Sequence, residues 1–295
     1  MNPHLLKIHV TPEHSFSVRY DIVPHFYNKW HYHPEIELVH IIKGSGQQFI
    51  GDNIHLFKSG DMILLGPGLP HLWRSDEKFL RKESKLKVEA IVLHFMPECL
   101  GSLLFSVPEN KALEKLLIKS QQAVRIKDKT KAIVAQLMKK LVTAKDTERI
   151  ILLLQILNEI AHSKQTKTVC NKGLIFEYNP GETERLNNIY QYILNNFSKN
   201  ISLQDISKIA NLSPQSFCRY FKSRIKKTFS VFLIEIRIGN ACKILVQTHK
   251  SIAAVCYESG FNNISNFNRH FKVITGKTPL EHRKYYQLNE ENAYH

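Results

Sequence analysis

The sequence predicts a multidomain α and β protein, with an N-terminal antiparallel β-barrel plus helices and a C-terminal all-α domain of two helix-turn-helix units. Three observations lead to this prediction. Short apolar segments alternate with glycine turns between Ser15 and Phe95, and the apolar spacing becomes helical after Pro108. In the last third of the chain one short pattern occurs twice, fifty residues apart, which is typical of a duplicated structural unit.

The N-terminal segment contains five stretches with the composition of β-strands. These stretches are residues 16–20, 37–42, 48–50, 62–65 and 88–95. Short turns that contain glycine separate several of them, as hairpins require. Antiparallel strands of this kind close into a barrel or into a roll of two sheets.

Three helices are predicted after the strands, because apolar residues recur there every three or four positions. They cover residues 111–121, 129–143 and 148–162, and Thr147 is a candidate N-cap for the third. The third helix is apolar around most of its circumference, at Ile150, Ile151, Leu152, Leu153, Leu154, Ile156, Leu157 and Ile160. Another part of the chain or a second subunit must cover some of that surface.

The duplicated pattern is Phe-x-Arg-x-Phe-Lys, which occupies residues 217–222 and 267–272. In the first copy Ser202 begins one helix, and Ser213 begins a second helix with Pro214 in its first turn, where the missing N–H costs nothing. A short turn near Asn211 separates the two helices. Helix, short turn and helix form the helix-turn-helix motif, and the second copy repeats it.

On the second helix of each copy, the phenylalanines face the core and polar residues face outward. Arginine suits guanine and phosphate, amides suit adenine, and serine suits base edges or phosphates, so this face can bind DNA. The candidate DNA-binding residues are Ser213, Gln215, Ser216, Cys218, Arg219 and Lys222, and in the second copy Asn262, Asn263, Ser265, Asn266, Arg269 and Lys272. A merely solvated face is the alternative, and the matching positions of the two arginines argue against it.

A long helix is predicted between the copies, from residue 229 to 245. About twenty residues at 1.5 Å each span roughly 30 Å. Two recognition helices held on such a spacer could enter successive major grooves on one face of DNA, about 34 Å apart.

Composition limits the class of protein. The formal net charge of +15 and pI near 9.5 favour a polyanionic partner. Residues 181–295 hold a balance of +8, and the rest hold +7, so charge alone is a weak argument for DNA. Five cysteines without a C-x-x-C pair argue against a disulfide framework or a structural zinc site. The start of the chain lacks a secretory pattern, and no apolar run approaches a membrane helix, so we expect a cytoplasmic protein without membrane contact.

The second copy and its flanks resemble the signature of the AraC/XylS family: Gly260-Phe261-x3-Ser265-x-Phe267-x-Arg269-x-Phe271-Lys272-x3-Gly276-x-Thr278-Pro279-x3-Arg283. The resemblance covers roughly residues 182–286. It implies a bacterial transcription regulator in which Gln215, Cys218, Arg219, Ser265 and Arg269 stand where family members contact bases. The sequence departs from the pattern at Lys226, where glycine is usual, and at His282, where tyrosine is usual.

The N-terminal segment resembles the two cupin motifs, at residues 31–44 and 60–71. In metal-binding cupins the matching positions hold one ion, and here they are His31, His33, Glu37 and His71. His25 and Ser75 depart from that pattern, and regulators of this family commonly keep the pocket without metal. We therefore expect an effector pocket, with no metal or cofactor, formed by His31, His33, Glu37, His71 and Trp73. A metal site of the first four is the alternative.

These resemblances predict four segments: a cupin-like sensor barrel at 1–105, a helical dimerisation segment at 106–163, a linker at 164–181 and an AraC-type DNA-binding domain at 182–295. The implied function is a sequence-specific transcription regulator, an activator rather than an enzyme. Its implied partners are double-stranded promoter DNA, RNA polymerase, a second copy of the chain and a small-molecule effector such as a sugar or related metabolite. The alternative is a cupin metalloenzyme fused to a DNA-binding domain, and a stoichiometric metal would favour it.

Overall fold

The computed structural model describes residues 14–26, 30–51, 53–81, 83–101, 104, 107–170 and 180–291. The chain divides into two compact units. The N-terminal unit contains the described residues of 14–53 and 57–170, and the C-terminal unit contains those of 180–291. The finer boundaries given above, including a linker at 164–181, stay predictions.

The N-terminal unit is built on two antiparallel sheets. Its strands are β1 (Ser17–Val23), β2 (Ile36–Lys43), β3 (Ser45–Ile50), β4 (Asn53–Lys58), β5 (Met62–Leu65), β6 (His71–Ser75), β7 (Val88–Phe95), β8 (Val124–Ile126) and β9 (Thr166–Thr168). One sheet has the order β1-β7-β2-β5-β8-β9 and the other β4-β3-β6. Within the described residues the predicted barrel is thus the double-sheet alternative and not a closed ring of strands.

The two faces of the six-stranded sheet bury different cores, because successive side chains of a strand point to opposite sides. On one face Ile36 and Leu38 pack with buried residues of the helices, such as Val134 and Leu153. On the other face lies a core between the sheets, made by Val39, Ile41, Ile63, Leu65, Ala90 and Val92 together with Ile50, Phe57 and Trp73. The N-terminal unit therefore has three layers: small sheet, large sheet and helices.

Among the described residues of this unit, four α-helices occur: α1 (Glu77–Leu80), α2 (Lys111–Ser120), α3 (Asp128–Thr143) and α4 (Asp146–Ala161). The last three confirm the predicted helices. The Thr147 N-cap was wrong, because α4 begins at Asp146 and no side chain caps it. Leu153 and Leu157 of α4 are fully buried, whereas Ile150 and Ile151 are 38% and 50% exposed, so this chain covers most of the apolar surface of α4 itself.

The C-terminal unit is all-α in its described residues. Its helices are α5 (Pro180–Asn196), α6 (Leu203–Ile209), α7 (Pro214–Ile225), α8 (Phe229–Gln247), α9 (Ile252–Glu258), α10 (Ile264–Thr275) and α11 (Pro279–Glu291). The pairs α6–α7 and α9–α10 are the two predicted helix-turn-helix units. Between them the 19 residues of α8 span about 28 Å at 1.5 Å per residue. Among the described helices, none is long and apolar enough to cross a membrane.

Candidate functional site

The second helix of each unit, α7 and α10, begins at a side-chain cap. The Ser213 hydroxyl accepts a hydrogen bond from the Ser216 backbone amide at 3.3 Å, and the Asn263 side-chain Oδ1 accepts one from the Asn266 backbone amide at 2.9 Å. Such caps satisfy amides that have no partner within the helix. Ser213 and Asn263 therefore fix where α7 and α10 begin. The DNA contact predicted for these two residues is a separate role.

Buried phenylalanines orient α7 and α10, the second helices of the two helix-turn-helix units. Phe217 and Phe221 are fully buried with ring centroids 5.5 Å apart, and Phe267 and Phe271 repeat this at 5.6 Å. Residues four apart lie on the same face of a helix. The opposite face of each helix must then point away from the core.

The predicted DNA-binding residues occupy that outward face. All of them are exposed except Ser216, which is half-buried. In α10 the Arg269 guanidinium donates to the Asn266 side-chain oxygen at 2.8 Å and lies 3.3 Å from the His270 ring nitrogen. Burial, and after it the charge of the Arg269 guanidinium, lowers the pKa of His270. Arg269 is thus held by its neighbours at the exposed surface.

Glycine is required at position 260, in the turn between α9 and α10, both by the backbone conformation there and by the lack of space for a side chain. Its φ of +86° is a left-handed conformation, and a Cβ there would lie 2.7 Å from the Phe197 carbonyl oxygen. The same carbonyl accepts a hydrogen bond from Arg237 Nε at 2.8 Å, and the Arg237 guanidinium lies 5.9 Å from the Phe261 ring. Arg237 of α8 thereby joins the second helix-turn-helix unit to Phe197, the residue that follows α5. Sequence reasoning missed it, because its partners are backbone carbonyls.

A histidine–glutamate cluster lies between the two sheets of the N-terminal unit. Glu37 of β2 faces the small sheet and is paired with His94 of β7. His71 comes from β6 of the small sheet, and its backbone pairs with that of His31 at 3.1 and 2.8 Å. His33 lies just before β2. All five residues are at most 5% exposed, so the structure brings the four predicted metal-ligand positions together and adds His94.

Glu37 is the centre of this histidine–glutamate cluster. Its Oε2 lies 3.0 Å from His33 Nε2 and 2.8 Å from His71 Nε2, while its Oε1 lies 3.7 Å from His94 Nε2. One ligand atom from each of His31, His33, Glu37 and His71 lies within 4.8 Å of the others. His94 could have been found from the inward alternation of Ala90, Val92 and His94 along β7, but neither sequence motif contains it.

The cluster is electrostatically coupled. Burial raises the pKa of Glu37, but the charges of His71 and His94 and hydrogen bonds from His33 and His71 outweigh burial and hold that pKa well below its usual range. Burial lowers the pKa of His33, and its hydrogen bond and attraction to Glu37 raise it more. For His94 burial dominates over the attraction of Glu37 and lowers the pKa to about 4. Glu37 is therefore a buried carboxylate anion.

Trp73 flanks the cluster with its ring centroid 5.2 Å from that of His71. The indole is buried, and its Nε1 has no hydrogen-bond partner among the residues that the structure describes. A buried donor without a partner costs free energy unless a ligand or water accepts from it. Trp73 thus lies beside the cluster, with an N–H that a ligand could accept from.

A separate cavity of about 280 Å³ opens in the helical layer of the N-terminal unit. Its polar lining includes Lys111, Lys115 and Lys119, with Leu116 and Ile160 as apolar walls. It contains none of the cluster residues. This cavity is a second place where a small molecule could enter the unit.

The N-terminal unit encloses a polar cluster between two sheets, and the C-terminal unit has two helix-turn-helix units with exposed arginines. This combination is typical of a transcription regulator that binds both a ligand and DNA. Residues 15–154 match the family described as "AraC-like ligand binding domain", and residues 206–285 match the "Helix-turn-helix domain" family. The chain belongs to the AraC family of transcriptional regulators.

Several named proteins are similar to this chain. An uncharacterized HTH-type transcriptional regulator, YdeC of Bacillus subtilis, is 30% identical over 40% of this chain and 42% of its own length. The HTH-type transcriptional activator RhaR of Mannheimia succiniciproducens is 24% identical over 86% of both chains. A crystal structure of a regulator with an AraC-type DNA-binding domain, from Chromobacterium violaceum, is 26% identical over 36% of this chain and 95% of that chain, with a TM-score of 0.34.

Proposed function

We propose that this regulator binds a specific promoter sequence through α7 and α10 and changes transcription when a small polar effector occupies the histidine–glutamate cluster. One observation carries the DNA-binding part. Two capped helices, each turned by a buried phenylalanine pair, expose an arginine at matching positions. Arginine is the side chain best suited to read guanine in a major groove.

The residues of the DNA-binding face divide into two roles. We assign base contacts to Gln215, Cys218 and Arg219 of α7 and to Ser265 and Arg269 of α10. The helix-start residues and the lysines are assigned to phosphate contacts, because amides at helix N-termini and ammonium groups favour anions. The phosphate-contact set is Ser213, Ser216, Lys222, Asn262, Asn263, Asn266 and Lys272.

Affinity measurements on the full chain test these roles. Arg219→Ala and Arg269→Ala should each cost about 1–3 kcal/mol on the selected site and leave non-specific binding nearly unchanged. Lys222→Ala is the matched control on the same helix face, because loss of a phosphate contact weakens all sequences alike and reduces the salt slope by about one. If both arginine variants kept the affinity and specificity of the wild type, the assignment of Arg219 and Arg269 to base contacts would be wrong.

The effector part rests on the buried cluster and on the unsatisfied indole N–H of Trp73. Several imidazoles and one carboxylate can bind hydroxyl or carboxylate groups, so we propose a sugar or related metabolite. The proposed pocket is His31, His33, Glu37, His71 and Trp73.

A panel of sugars and sugar acids, screened by thermal shift on the full chain, should identify an effector. His33→Ala and His71→Ala should abolish the shift and the transcriptional response while DNA binding persists. Lys115→Ala, in the separate helical cavity, is the control and should respond as wild type. If Lys115→Ala alone lost the response, the effector would belong in that cavity.

We propose that the protein acts in the cytoplasm as a homodimer that recruits RNA polymerase, and that its function is regulation rather than catalysis. The relative RhaR is named a transcriptional activator, which supports activation. The exposed Ile150 and Ile151 of α4 support pairing of subunits through this helix. The fused metalloenzyme remains the alternative, favoured only by the histidine–glutamate cluster.

A further inference from the structure

The cavity in the helical layer of the N-terminal unit has a strongly basic lining. Lys111, Lys115 and Lys119 of α2 all line it, and they follow one another at steps of four residues. Side chains four residues apart lie on the same face of a helix, with Cβ atoms about 5–6 Å apart. Three lysine side chains therefore border one cavity of about 280 Å³, a volume near the lower end of the range for small-molecule sites.

The rest of the polar lining follows the end of α4 and is held in place by neighbouring elements. Ser163 Oγ lies 2.6 Å from Thr130 Oγ1 of α3 and accepts a hydrogen bond from the Gln165 backbone amide at 2.8 Å. Thr166 belongs to β9 and is paired with β8. This part of the lining is therefore fixed by the fold itself.

Lys119 and Thr166 together can present hydrogens to the cavity. Lys119 Nζ donates a hydrogen bond to Thr166 Oγ1 at 3.0 Å. An ammonium group has three hydrogens and a hydroxyl has one, so this contact leaves two N–H groups of Lys119 and the O–H group of Thr166 for another acceptor. An anionic oxygen makes the strongest hydrogen bonds to such a pair.

The positive charge of this lining is not balanced from within. The described lining residues include no aspartate or glutamate. The end of α4 at Ala161 carries a partial negative charge of about half an elementary charge. That partial charge is small against three ammonium groups, so the cavity attracts an anion.

We propose that this cavity binds a small phosphate monoester with an apolar body. The inference goes beyond the effector pocket of the histidine–glutamate cluster, with which the cavity shares no residue. Lysine binds phosphate as a point charge, whereas the planar fork of arginine matches carboxylates, and the described lining contains lysines and no arginine. Leu116 and Ile160, both buried, supply the apolar walls for the body of the ligand.

A phosphate held by Lys119 and Thr166 would connect α2 to β9. β9 is a strand of three residues at the edge of the six-stranded sheet. A short edge strand opens locally more easily than the core, because few contacts hold it. We therefore expect the ligand to slow hydrogen exchange in β9.

Titration of the full chain with phenyl phosphate, without DNA or sugar, tests the proposal. One molecule should bind per chain by calorimetry, and hydrogen exchange in β9 peptides should slow at saturation. Inorganic phosphate, benzoate and benzyl alcohol should each bind at least about fivefold more weakly, because each lacks either the apolar body or the doubly charged group. Failure of this titration would leave the binding of DNA and of the effector untouched, since neither is present.

Three variants separate a specific site from general attraction to a basic protein. Lys115→Met removes one charge at an exposed position of α2 and should weaken phenyl phosphate binding at least about fivefold, as expected for loss of a charge-assisted hydrogen bond. Lys115→Arg keeps the charge and should retain most of the affinity. Lys140→Met, the same change at an exposed position of α3 outside the described lining, is the matched control and should bind as wild type.

Three results would overturn the proposal. The first is a folded wild-type chain without saturable binding of phenyl phosphate. The second is equal affinity for phenyl phosphate and inorganic phosphate, which would show ionic attraction without a contribution from the apolar walls. The third is wild-type affinity in Lys115→Met that is folded by circular dichroism, which would place the ligand elsewhere.

Discussion

Lys226 is the residue at which this chain departs from its own internal repeat. It ends α7 with φ of 59°, and Gly276 ends α10 at the matching place with φ of 76°. Both are left-handed caps, a conformation that glycine adopts freely and that other L-residues adopt at a cost. The sequence marked Lys226 as unusual, and the structure shows that the turn is nevertheless made in the same way.

Lys226→Gly should stabilise the C-terminal unit by about 1 kcal/mol. The left-handed conformation costs a side chain about 1–2 kcal/mol, and the greater freedom of glycine in the unfolded chain returns about 0.4–1 kcal/mol of this. Hydrogen exchange on peptides from α7 and α8 measures the effect in that unit alone.

Gly276→Ala is the matched control and should destabilise the unit, because no atom lies within 4 Å of the added Cβ and only φ opposes it. A Lys226→Gly protein that exchanges as fast as wild type, or faster, would contradict the strain argument.

At the residue scale, the two short motifs predicted which side chains of the histidine–glutamate cluster lie together better than they predicted the contacts of those side chains. The motifs at 31–44 and 60–71 brought four cluster residues to one place, because strand alternation and hairpin pairing fix which side chains meet. They could not supply His94, which comes from a strand far along the sequence. They also could not indicate that Nδ1 of His33 and of His71 lies beside the backbone carbonyl oxygen of Glu35 and of Leu69.

At the scale of elements, local signals determined what was predictable. Ser202, Ser213 and Pro214 mark helix starts by chemistry within one turn, and both starts were confirmed. The structure adds a capping box between Ser202 and Asp205. The strands β4, β6, β8 and β9 were not predicted. They have three to six residues each, which is too few for a clear repeating pattern. Whether the strands close a ring or form two sheets is decided by tertiary packing.

Helix α4 shows why composition alone does not identify a subunit contact. Its apolar surface predicted either a core helix or a dimer helix. Leu153 and Leu157 are fully buried within the chain, so acidic substitutions there would test the core and not the dimer. The residues left for a partner are Ile150 and Ile151.

Ile150→Glu combined with Ile151→Glu should convert the proposed dimer to a folded monomer. The two carboxylates would have to be buried without a partner in the subunit contact, whereas in the monomer they are solvated. Light scattering after size exclusion gives the mass. Ile118→Glu, at a 60% exposed position of α2, is the control and should remain dimeric. A double variant that keeps the wild-type mass would exclude this helix as the contact.

At the scale of the whole molecule, the net charge and the duplicated helix-turn-helix unit predict different properties of DNA binding. The net charge of +15 supports attraction to any nucleic acid and therefore strong salt dependence. We propose that specificity comes from α7 and α10, which are similar in length, capping and phenylalanine pairs but differ in their exposed side chains. The central claim is that each helix reads its own half of one DNA site.

Base preferences of wild type, Arg219→Ala and Arg269→Ala, measured on the full chain by selection from random DNA, test that claim most directly. The wild type should select two blocks of bases about 10 base pairs apart, since successive major grooves on one face are one helical turn apart. Arg219→Ala should relax the preference in one block only, and Arg269→Ala in the other block only. If both variants relaxed the same block, or neither changed any preference, the two helices would not be independent readers of DNA.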